Sequence, residues 1–329
     1  MDTKLIILEG LTGSGKSTTA QFISSQLQKQ DIKCRCILEG ESGHPLYINM
    51  PGYSITEAAK VLHSQWKSFV RQVKQFAVPV ITEGCLFQYI IGSMLKMDID
   101  KEEIMAYLHS LKDLFKVLNP ILIYLRETDV EKALQKICAK RGEFWKSTTI
   151  HTNNRTLFAR RRGLRGFSGY VKFKQVLEEL SNRLFEEFDI RKIVIDKSKG
   201  DWQSYYKQIF VFMSLPLSED QPLTKNFLEK FTGTYTCSYE GAISEFYVKL
   251  ENGSLVIYDN PYLAWIPSPL IWKEKNIFRI KSRKNELTFE EDSDGLIKRI
   301  RMRGPVVGHS KGDAVFPGKS VESQYYSKS

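Results

Sequence analysis

One string of eight residues constrains the fold of this 329-residue chain more than any other feature. Residues 10–17 read GLTGSGKS and match the pattern G-x-x-x-x-G-K-[ST]. An apolar run ends just before the string at Glu9, and a helical pattern begins at Lys16 with Ala20 and Ile23 on one face. The string therefore predicts a buried strand, a tight glycine-rich turn and a helix in direct succession.

The chemistry of this turn indicates a bound phosphate chain. Glycines allow backbone N–H groups to curl around anionic oxygens, and the helix N-terminus adds positive potential. We expect the Lys16 ammonium to reach the β- and γ-phosphates of ATP and the Ser17 hydroxyl to ligate Mg²⁺. A glycine-rich turn without a ligand would leave the Lys-Ser pair unexplained. The residues predicted to bind the nucleotide here are Gly10, Thr12, Gly13, Ser14, Gly15, Lys16, Ser17 and Thr18.

Up to residue 215 the sequence alternates short apolar runs with helical patterns, which predicts an α/β fold built on a parallel sheet. Three of the helices carry a start signal, in which Ser54, Asp100 or Thr128 precedes a Glu by three residues and could cap the helix. The five candidate strands are residues 4–9, 33–39, 79–83, 120–125 and 191–195.

The character of the chain changes after Leu215. Residues 216–224 form a polar, proline-flanked segment that we interpret as a linker between domain 1–215 and a second domain. Short alternating runs over 225–305 predict a small antiparallel β-barrel or sandwich, and residues 306–329 predict a flexible tail. The predicted strands of the second domain are 233–239, 244–250, 254–258, 277–281, 286–290 and 296–302.

Composition and charge exclude several classes of protein. With 42% hydrophobic residues the chain can bury a core, and its longest apolar runs are too short to span a membrane. The five scattered cysteines favour reduced thiols, and the first residues show no secretory signal. The segment 136–174 holds eleven Lys and Arg and one acid, which accounts for the net charge of +10. A local anion-binding element is therefore favoured over a diffuse surface for nucleic acid.

Two carboxylates follow the next predicted strands, since Glu39 ends the second and Glu83 ends the third. Ligands of open parallel sheets bind beyond the carboxyl ends of the strands, so both side chains should face the phosphate-binding turn. A carboxylate there accepts a proton from an attacking hydroxyl or holds Mg²⁺. We therefore assign Lys16, Glu39 and Glu83 to catalysis, with Ser17 and Glu83 as metal ligands.

Four blocks of sequence together resemble a known family. Residues 7–18, 38–45, 81–88 and 123–126 read ILEGLTGSGKST, LEGESGHP, ITEGCLFQ and IYLR. They resemble the thymidylate kinase-like and deoxynucleoside kinase-like branch of the P-loop kinases, over residues 1 to about 215. The resemblance implies a five-stranded parallel sheet of order 2-3-1-4-5, ATP as the donor and a basic lid that closes on the phosphates.

The resemblance also implies roles for particular residues. Glu39 would contact the phosphoryl acceptor, and Glu83 would act near the metal and the substrate. The lid would supply Arg141 to catalysis and Arg160 and Arg162 to the nucleotide, with further arginines at 155, 161 and 165; a solvated charge run is the alternative for 160–162. Two positions depart from the family, because no proline follows Glu39 and Gly84 replaces a usual Arg. The identity of the acceptor is therefore left open.

Four other side chains and the second domain have more than one interpretation. His44 would line the acceptor pocket or lie in a plain loop, and Phe87, Gln88 and Trp145 would contact substrate, although core packing is favoured for Phe87. The module at 231–303 resembles the small β-barrel appended to some serine β-lactamase-like hydrolases. Because no nucleophile–base pair or metal cluster is apparent in it, we expect it to stabilise the protein or to bind a partner.

These features favour an ATP- and Mg²⁺-dependent kinase that transfers the γ-phosphoryl group to a small-molecule acceptor, either a nucleoside, a nucleotide or another hydroxyl compound such as an antibiotic. The alternative is a nucleotide-dependent switch whose β domain engages a protein partner. Phosphorylation of nucleic-acid ends is less favoured, because charge outside the basic segment is balanced. We expect a cytoplasmic protein without a membrane partner, with a homodimer as one option.

Overall fold

The computed structural model describes residues 2–39, 41, 44–47, 55–219, 222–239, 242–259, 267–281, 283–305 and 320–328. The chain divides into two compact units. The first contains Met1–Glu39 and His44–Ser218, and the second contains Gly40–Gly43 and Glu219–Ser329. The division after Ser218 falls inside the segment 216–224 that we interpret as a linker.

The first unit is built on a five-stranded parallel sheet in the order β2-β3-β1-β4-β5, which confirms the predicted topology. Each strand lies within two residues of its predicted position, except that β2 is shorter than expected. Its strands are β1 (Leu5–Gly10), β2 (Arg35–Ile37), β3 (Val80–Glu83), β4 (Ile121–Arg126) and β5 (Arg191–Asp196).

Helices cover both faces of this sheet. Along β1, Leu5 and Ile7 belong to one hydrophobic core, whereas Ile6 and Leu8 belong to another, as expected for a strand buried on both faces. The helices of the first unit are α1 (Lys16–Gln28), α2 (Ile55–Gln75), α3 (Gly92–Lys96), α4 (Lys101–Phe115), α5 (Val130–Asn154), α6 (Leu157–Arg161), α7 (Gly166–Glu187) and α8 (Trp202–Met213). Helices α1 and α8 contribute to the Ile6 core, and α2, α4 and α7 contribute to the Leu5 core.

The residues that cap the helices can be compared with those predicted from the sequence. Asp100 caps α4, since its carboxylate accepts the backbone N–H of Glu102 at 2.8 Å. For α5 the prediction was wrong by one residue, because Asp129 rather than Thr128 caps the helix and accepts the N–H of Lys132 at 3.0 Å. Both residue types suit the position, and spacing alone does not choose between neighbours. The signal at Ser54 lies outside the described residues.

Helix α5 continues to Asn154, through the first part of the basic segment 136–174. It is interrupted at Gly142, whose φ of 83° and ψ of 171° are not helical. The basic segment 136–174, which the family resemblance identifies as a lid, is largely helical, in α5, α6 and the beginning of α7.

The second unit begins with a short helix, α9 (Lys225–Glu229), and forms a closed antiparallel barrel in the order β10-β11-β12-β13-β6-β7-β8-β9. Aromatic rings fill its core, where Phe231 lies 4.9 Å from both Phe278 and Phe289 between ring centroids. The strands are β6 (Gly233–Tyr239), β7 (Ala242–Glu251), β8 (Ser254–Tyr258), β9 (Ser268–Glu274), β10 (Ile277–Ile280), β11 (Glu286–Glu291), β12 (Ile297–Pro305) and β13 (Ser320–Lys328).

Two barrel strands differ from the sequence expectation. Strand β9 was not predicted, because Pro267 and Pro269 weaken the strand signal at its start. Strand β13 lies in the segment expected as a flexible tail, and it pairs with β12 and β6 to close the barrel. Its pairing partners lie far away in sequence, so a local pattern of Gly, Ser and Lys did not reveal it. The rest of the expected tail, 306–319, lies outside the described residues. None of the helices in the described part of the chain is long and apolar enough to cross a membrane.

Candidate active site

The glycine-rich turn joins β1 to α1 as predicted, with Lys16 as the first residue of the helix. Gly15 adopts a left-handed φ of 94° at the N-cap. A Cβ atom at this position would lie 2.4 Å from the Cη2 atom of Trp202, which is a forbidden contact. Glycine is therefore required here both by the backbone conformation and by the indole ring of α8.

Lys16 lies buried below the turn, with 4% of its surface exposed. Its ammonium group donates to the backbone carbonyl of Leu11 at 3.2 Å and to Oε1 of Gln88 at 2.5 Å. Both acceptors are neutral, and no described residue forms a direct ion pair with Lys16, so its charge is hydrogen-bonded without being neutralised. Such a lysine is positioned to turn towards an anionic ligand.

Ser17, Glu83 and Glu39 meet at the carboxyl ends of the strands, as the sequence predicted. The Ser17 hydroxyl donates to Oε1 of Glu83 at 2.7 Å, and the backbone N–H of Glu39 donates to the same oxygen at 3.0 Å. The other oxygen of Glu83, Oε2, is buried and has no hydrogen-bond partner among the described residues. Burial, the largest cause, raises the pKa of Glu83, while the Lys16 ammonium opposes that shift.

This arrangement fits a divalent cation. A hydroxyl and a carboxylate with one unpartnered oxygen are the oxygen ligands that Mg²⁺ prefers, and Mg²⁺ commonly takes its remaining ligands from water and phosphate. The described residues contain no group of three or more His, Cys, Asp and Glu that could hold a metal alone. Ser17 and Glu83 would therefore hold the ion together with a bound nucleotide.

Glu39 is exposed at the end of β2 and is connected to Lys16 through Gln88. The side-chain amide of Gln88 donates to both carboxylate oxygens of Glu39, at 2.7 and 2.8 Å. Its Oε1 accepts from Lys16, so one side chain spans the phosphate-binding lysine and the predicted acceptor residue. Gln88 was named from the sequence only as a possible substrate contact, and its bridging position was not foreseen.

A third carboxylate, Glu9, lies beneath the site and was missed by the sequence analysis. It is the penultimate residue of β1 and is fully buried. Its two oxygens accept the backbone N–H groups of Leu86 at 2.7 Å and Gln88 at 3.3 Å. Burial raises its pKa to about 8, so the carboxyl group is mostly neutral at pH 7. The sequence feature that could have identified Glu9 is an acidic residue at the end of an otherwise apolar strand.

Gly84 explains one departure from the family pattern. It has a left-handed φ of 68°, and a Cβ atom there would lie 3.1 Å from Oε2 of Glu39 and 3.2 Å from Cε of Lys16. The hydroxyl of Tyr47 also donates to the Gly84 carbonyl at 3.1 Å. Both the conformation and the tight surroundings therefore disfavour an Arg at this position.

Three cations lie in the electrostatic environment of Glu39. Desolvation lowers the pKa values of Lys96, Arg141 and Lys174, and the Glu39 carboxylate opposes all three shifts. Arg141, which the sequence assigned to catalysis, stacks over the Trp145 ring at 4.7 Å just before the Gly142 interruption. Lys96 and Lys174 were not singled out, because neither belongs to a recognisable motif.

The other lid arginines are placed differently. Arg161 and Arg162 both pair with Asp98, at 2.9 Å for Arg161. Arg162 also donates to the backbone carbonyl of Phe158 within α6 at 3.2 Å, and the two ion pairs with Asp98 hold α6 against the turn that follows α3. Arg160 is exposed, as are Arg155 and Arg165. The phosphate contacts of Arg160 and Arg162 remain predictions.

Two uncertain side chains prove to be packed. Phe87 is 1% exposed and lies 5.6 Å from the Tyr124 ring, so the core interpretation is correct. His44 is buried, its Nδ1 accepts the N–H of Leu46 at 3.1 Å, and its ring packs edge-on against Tyr47.

The sequence is similar to that of a known nucleotide kinase. Thymidylate kinase from Brachyspira hyodysenteriae is 30% identical over 152 residues, which cover 43% of this chain and 71% of that protein. Deoxyadenosine kinase from M. mycoides, solved with bound dATP, is 17% identical over 64% of this chain and 99% of that chain; its TM-score of 0.37 is too low to carry an argument. No protein-family model matches the sequence.

A phosphate-binding turn at the end of a central parallel strand, with a buried lysine and a serine–carboxylate pair beside it, defines a P-loop phosphotransferase. The 30% identity to the Brachyspira protein, over 71% of that protein's length, identifies the family within this class. The chain belongs to the thymidylate kinase family.

Proposed function

We propose that the protein transfers the γ-phosphoryl group of ATP to a nucleoside monophosphate and that the reaction requires Mg²⁺. The observation that carries this proposal is the convergence of Lys16, Ser17, Glu83 and Glu39 at one edge of the sheet, through hydrogen bonds of 2.5 to 3.0 Å that run in part through Gln88. Phosphoryl transfer depends chiefly on positioning and on charge stabilisation, and these residues supply both.

The residues act in distinct ways in this mechanism. Lys16 exchanges its neutral acceptors for the β- and γ-oxygens of the donor. Ser17 and Glu83 present a hydroxyl and a carboxylate oxygen on the same side of the turn, and a Mg²⁺ ion bound there would offset the negative charge of the phosphates. Glu39, held by the Gln88 amide, faces the position from which the acceptor attacks.

The charges near Glu39 favour an anionic acceptor. Lys96 and Arg141, two of the three cations near Glu39, interact electrostatically with its carboxylate and would also attract an anionic acceptor. A monophosphate would be held by such cations, and the Brachyspira relative is named for thymidylate. Thymidylate is therefore the first acceptor to test.

A neutral hydroxyl acceptor is the second candidate, and Glu39 itself is the reason. An exposed carboxylate near the donor can accept the proton of an attacking hydroxyl, a contribution of about 10²- to 10⁴-fold to the rate. A phosphate oxygen needs no such base. Thymidine therefore serves as the matched probe for thymidylate.

The test measures ADP formation and the phosphorylated product with ATP, Mg²⁺ and a panel of nucleosides and their monophosphates. We expect acceptor-dependent turnover with thymidylate, loss of turnover in Lys16→Met, and wild-type turnover in Lys33→Met, which changes an exposed lysine away from the turn. Turnover with thymidine alone would favour the hydroxyl acceptor. If no member of the panel is phosphorylated, the proposed function is wrong and a nucleotide-dependent switch is preferred.

A further inference from the structure

Lys174 is a buried lysine that has no carboxylate partner among the described residues. It lies in the middle of α7 with 8% of its surface exposed, and its ammonium group donates to the Thr12 hydroxyl of the phosphate-binding turn at 3.3 Å. The rings of Tyr170 and Phe173 lie 5.7 and 5.9 Å from its Nζ atom. No ion pair among the described residues includes it. Burial of a charge is costly unless the charge is paired, so this arrangement calls for a functional reason.

The charges around Lys174 come from several elements. The ammonium groups of Lys16 on α1 and Lys96 on α3 oppose its charge, whereas the carboxylates of Glu39 after β2 and Glu178 on α7 favour it. Arg141 on α5 and the Tyr170 hydroxyl on α7 belong to the same cluster. Lys16 and Lys174 thus both hydrogen-bond to the turn, through Leu11 and Thr12, and Lys96 interacts electrostatically with Lys174, an arrangement that suits a polyanion.

On the basis of the proposed function, we infer that Lys174 is a phosphate-binding residue, supplied by α7 to the triphosphate of the donor nucleotide beside Thr12. It would perform the task that the family resemblance gives to the lid arginines 160 and 162. The difference is physical: Arg162 is engaged by Asp98 and Phe158, and Arg160 is exposed, whereas Lys174 already contacts the turn.

Binding of the triphosphate beside Lys174 should also change the protonation of this lysine. Burial, followed by the charges of Lys96 and Lys16, lowers the pKa of Lys174 to about 7. A triphosphate beside the amine would favour its charged form and raise that pKa. At a pH of about 8 the free amine would be roughly nine-tenths deprotonated, so binding of the nucleotide should take up most of one proton.

The experiment is calorimetric titration of the full chain with Mg²⁺ and a non-hydrolysable ATP analogue, the β,γ-imido compound. Lys174→Met replaces the amine by an apolar chain of similar length, and Lys172→Met changes an exposed lysine on the same helix as the matched control. Loss of one charge-assisted contact should weaken binding of the analogue by about 10- to 100-fold in Lys174→Met and leave Lys172→Met like wild type. Binding of adenosine, which has no phosphate, should be equal in all three proteins and shows that the nucleotide site is folded.

Titrations at pH 8 in two buffers of different ionisation enthalpy measure the proton uptake. The analogue itself takes up or releases the same number of protons with every protein. The difference in proton uptake between wild type and Lys174→Met therefore measures the contribution of Lys174. We expect uptake to fall by most of one proton in Lys174→Met alone. Unchanged affinity and unchanged uptake in this variant would overturn the assignment while leaving the proposed function intact, whereas a wild-type protein that fails to bind the analogue would overturn both. Equal losses for adenosine and the analogue would assign Lys174 a structural role instead.

Discussion

Glu9 makes the stability of the protein depend on pH in an unusual direction. Its carboxyl group keeps its proton in the folded state up to a pKa of about 8, whereas an unfolded Glu releases it near the ordinary value of 4.5. Between pH 4.5 and about 8 the folded state therefore binds more protons than the unfolded state. The stabilisation that this proton contributes is fully present below the pKa of Glu9 in the unfolded chain. It is lost as the pH rises through the pKa of Glu9 in the folded protein. We expect Glu9→Gln, which resembles the neutral carboxyl group, to remove this dependence.

The size of the effect follows from proton linkage. At 1.36 kcal/mol per pKa unit, a proton held to a pKa of about 8 contributes about 2 kcal/mol more to the free energy of unfolding near pH 6 than near pH 8. The Gln side chain keeps a carbonyl acceptor for the Leu86 N–H but loses the weaker bond from Gln88, which lies at 3.3 Å. The variant should therefore be somewhat less stable than wild type near pH 6 and should gain relative to it as the pH rises.

Urea unfolding of both proteins across this range, followed by tryptophan fluorescence, gives the difference in the free energy of unfolding. Other groups that titrate near neutrality, including Lys174 and Glu178, are common to both proteins and cancel in the difference. Glu103→Gln, which changes an exposed acid on α4, is the control and should show no pH-dependent difference. A difference between wild type and Glu9→Gln that stays constant from pH 6 to pH 8 would refute the argument that burial keeps Glu9 neutral.

Three further predictions test the geometry of the site and the domain division. Gly84→Ala should lower the free energy of unfolding by about 1–2 kcal/mol in urea titrations and reduce phosphoryl transfer, because φ is 68° and the new methyl group would crowd Glu39. Ser17→Ala should raise the Mg²⁺ concentration for half-maximal turnover about tenfold without changing the fold, as circular dichroism can verify. A fragment that ends at Ser218 should fold cooperatively, because the sheet and its helices are complete; a molten fragment would show that the proposed boundary is wrong.

The fold of the first unit was largely predictable because its strands are buried on both faces. Runs such as Leu5–Leu8 must be apolar at every position, and the turn motif identifies which of the runs is central. Glu39 and Glu83 could be identified for the same reason, since ligands collect at the carboxyl ends of parallel strands. The helix boundaries were less certain, as the one-residue error at Asp129 shows, because neighbouring residues offer equivalent caps.

What the sequence did not reveal depends on contacts between distant residues. Glu9 accepts N–H groups from residues 77 and 79 positions away, and Lys174 contacts a hydroxyl 162 positions away. Neither residue belongs to a spacing pattern that elementary chemistry would recognise. The arginines at 160–162 show that a run of charge does not by itself reveal its contacts, since Arg161 and Arg162 pair with Asp98 while the phosphate contacts of Arg160 and Arg162 remain predictions.

The neutral state of Glu9 also bears on how the site accepts a highly charged donor. The Glu9 carboxyl group accepts the N–H groups of Leu86 and Gln88, yet a negative charge close to Lys16 would oppose the phosphates. Burial resolves this conflict by keeping the group protonated, so that it accepts hydrogen bonds without adding charge. Above a pH of about 8 the charge returns, and the affinity for ATP should fall. In Glu9→Gln the affinity should fall less over this range. The measurement is the dissociation constant of the β,γ-imido analogue from pH 7 to 9. An identical fall in affinity in both proteins would mean that Glu9 does not affect phosphate binding.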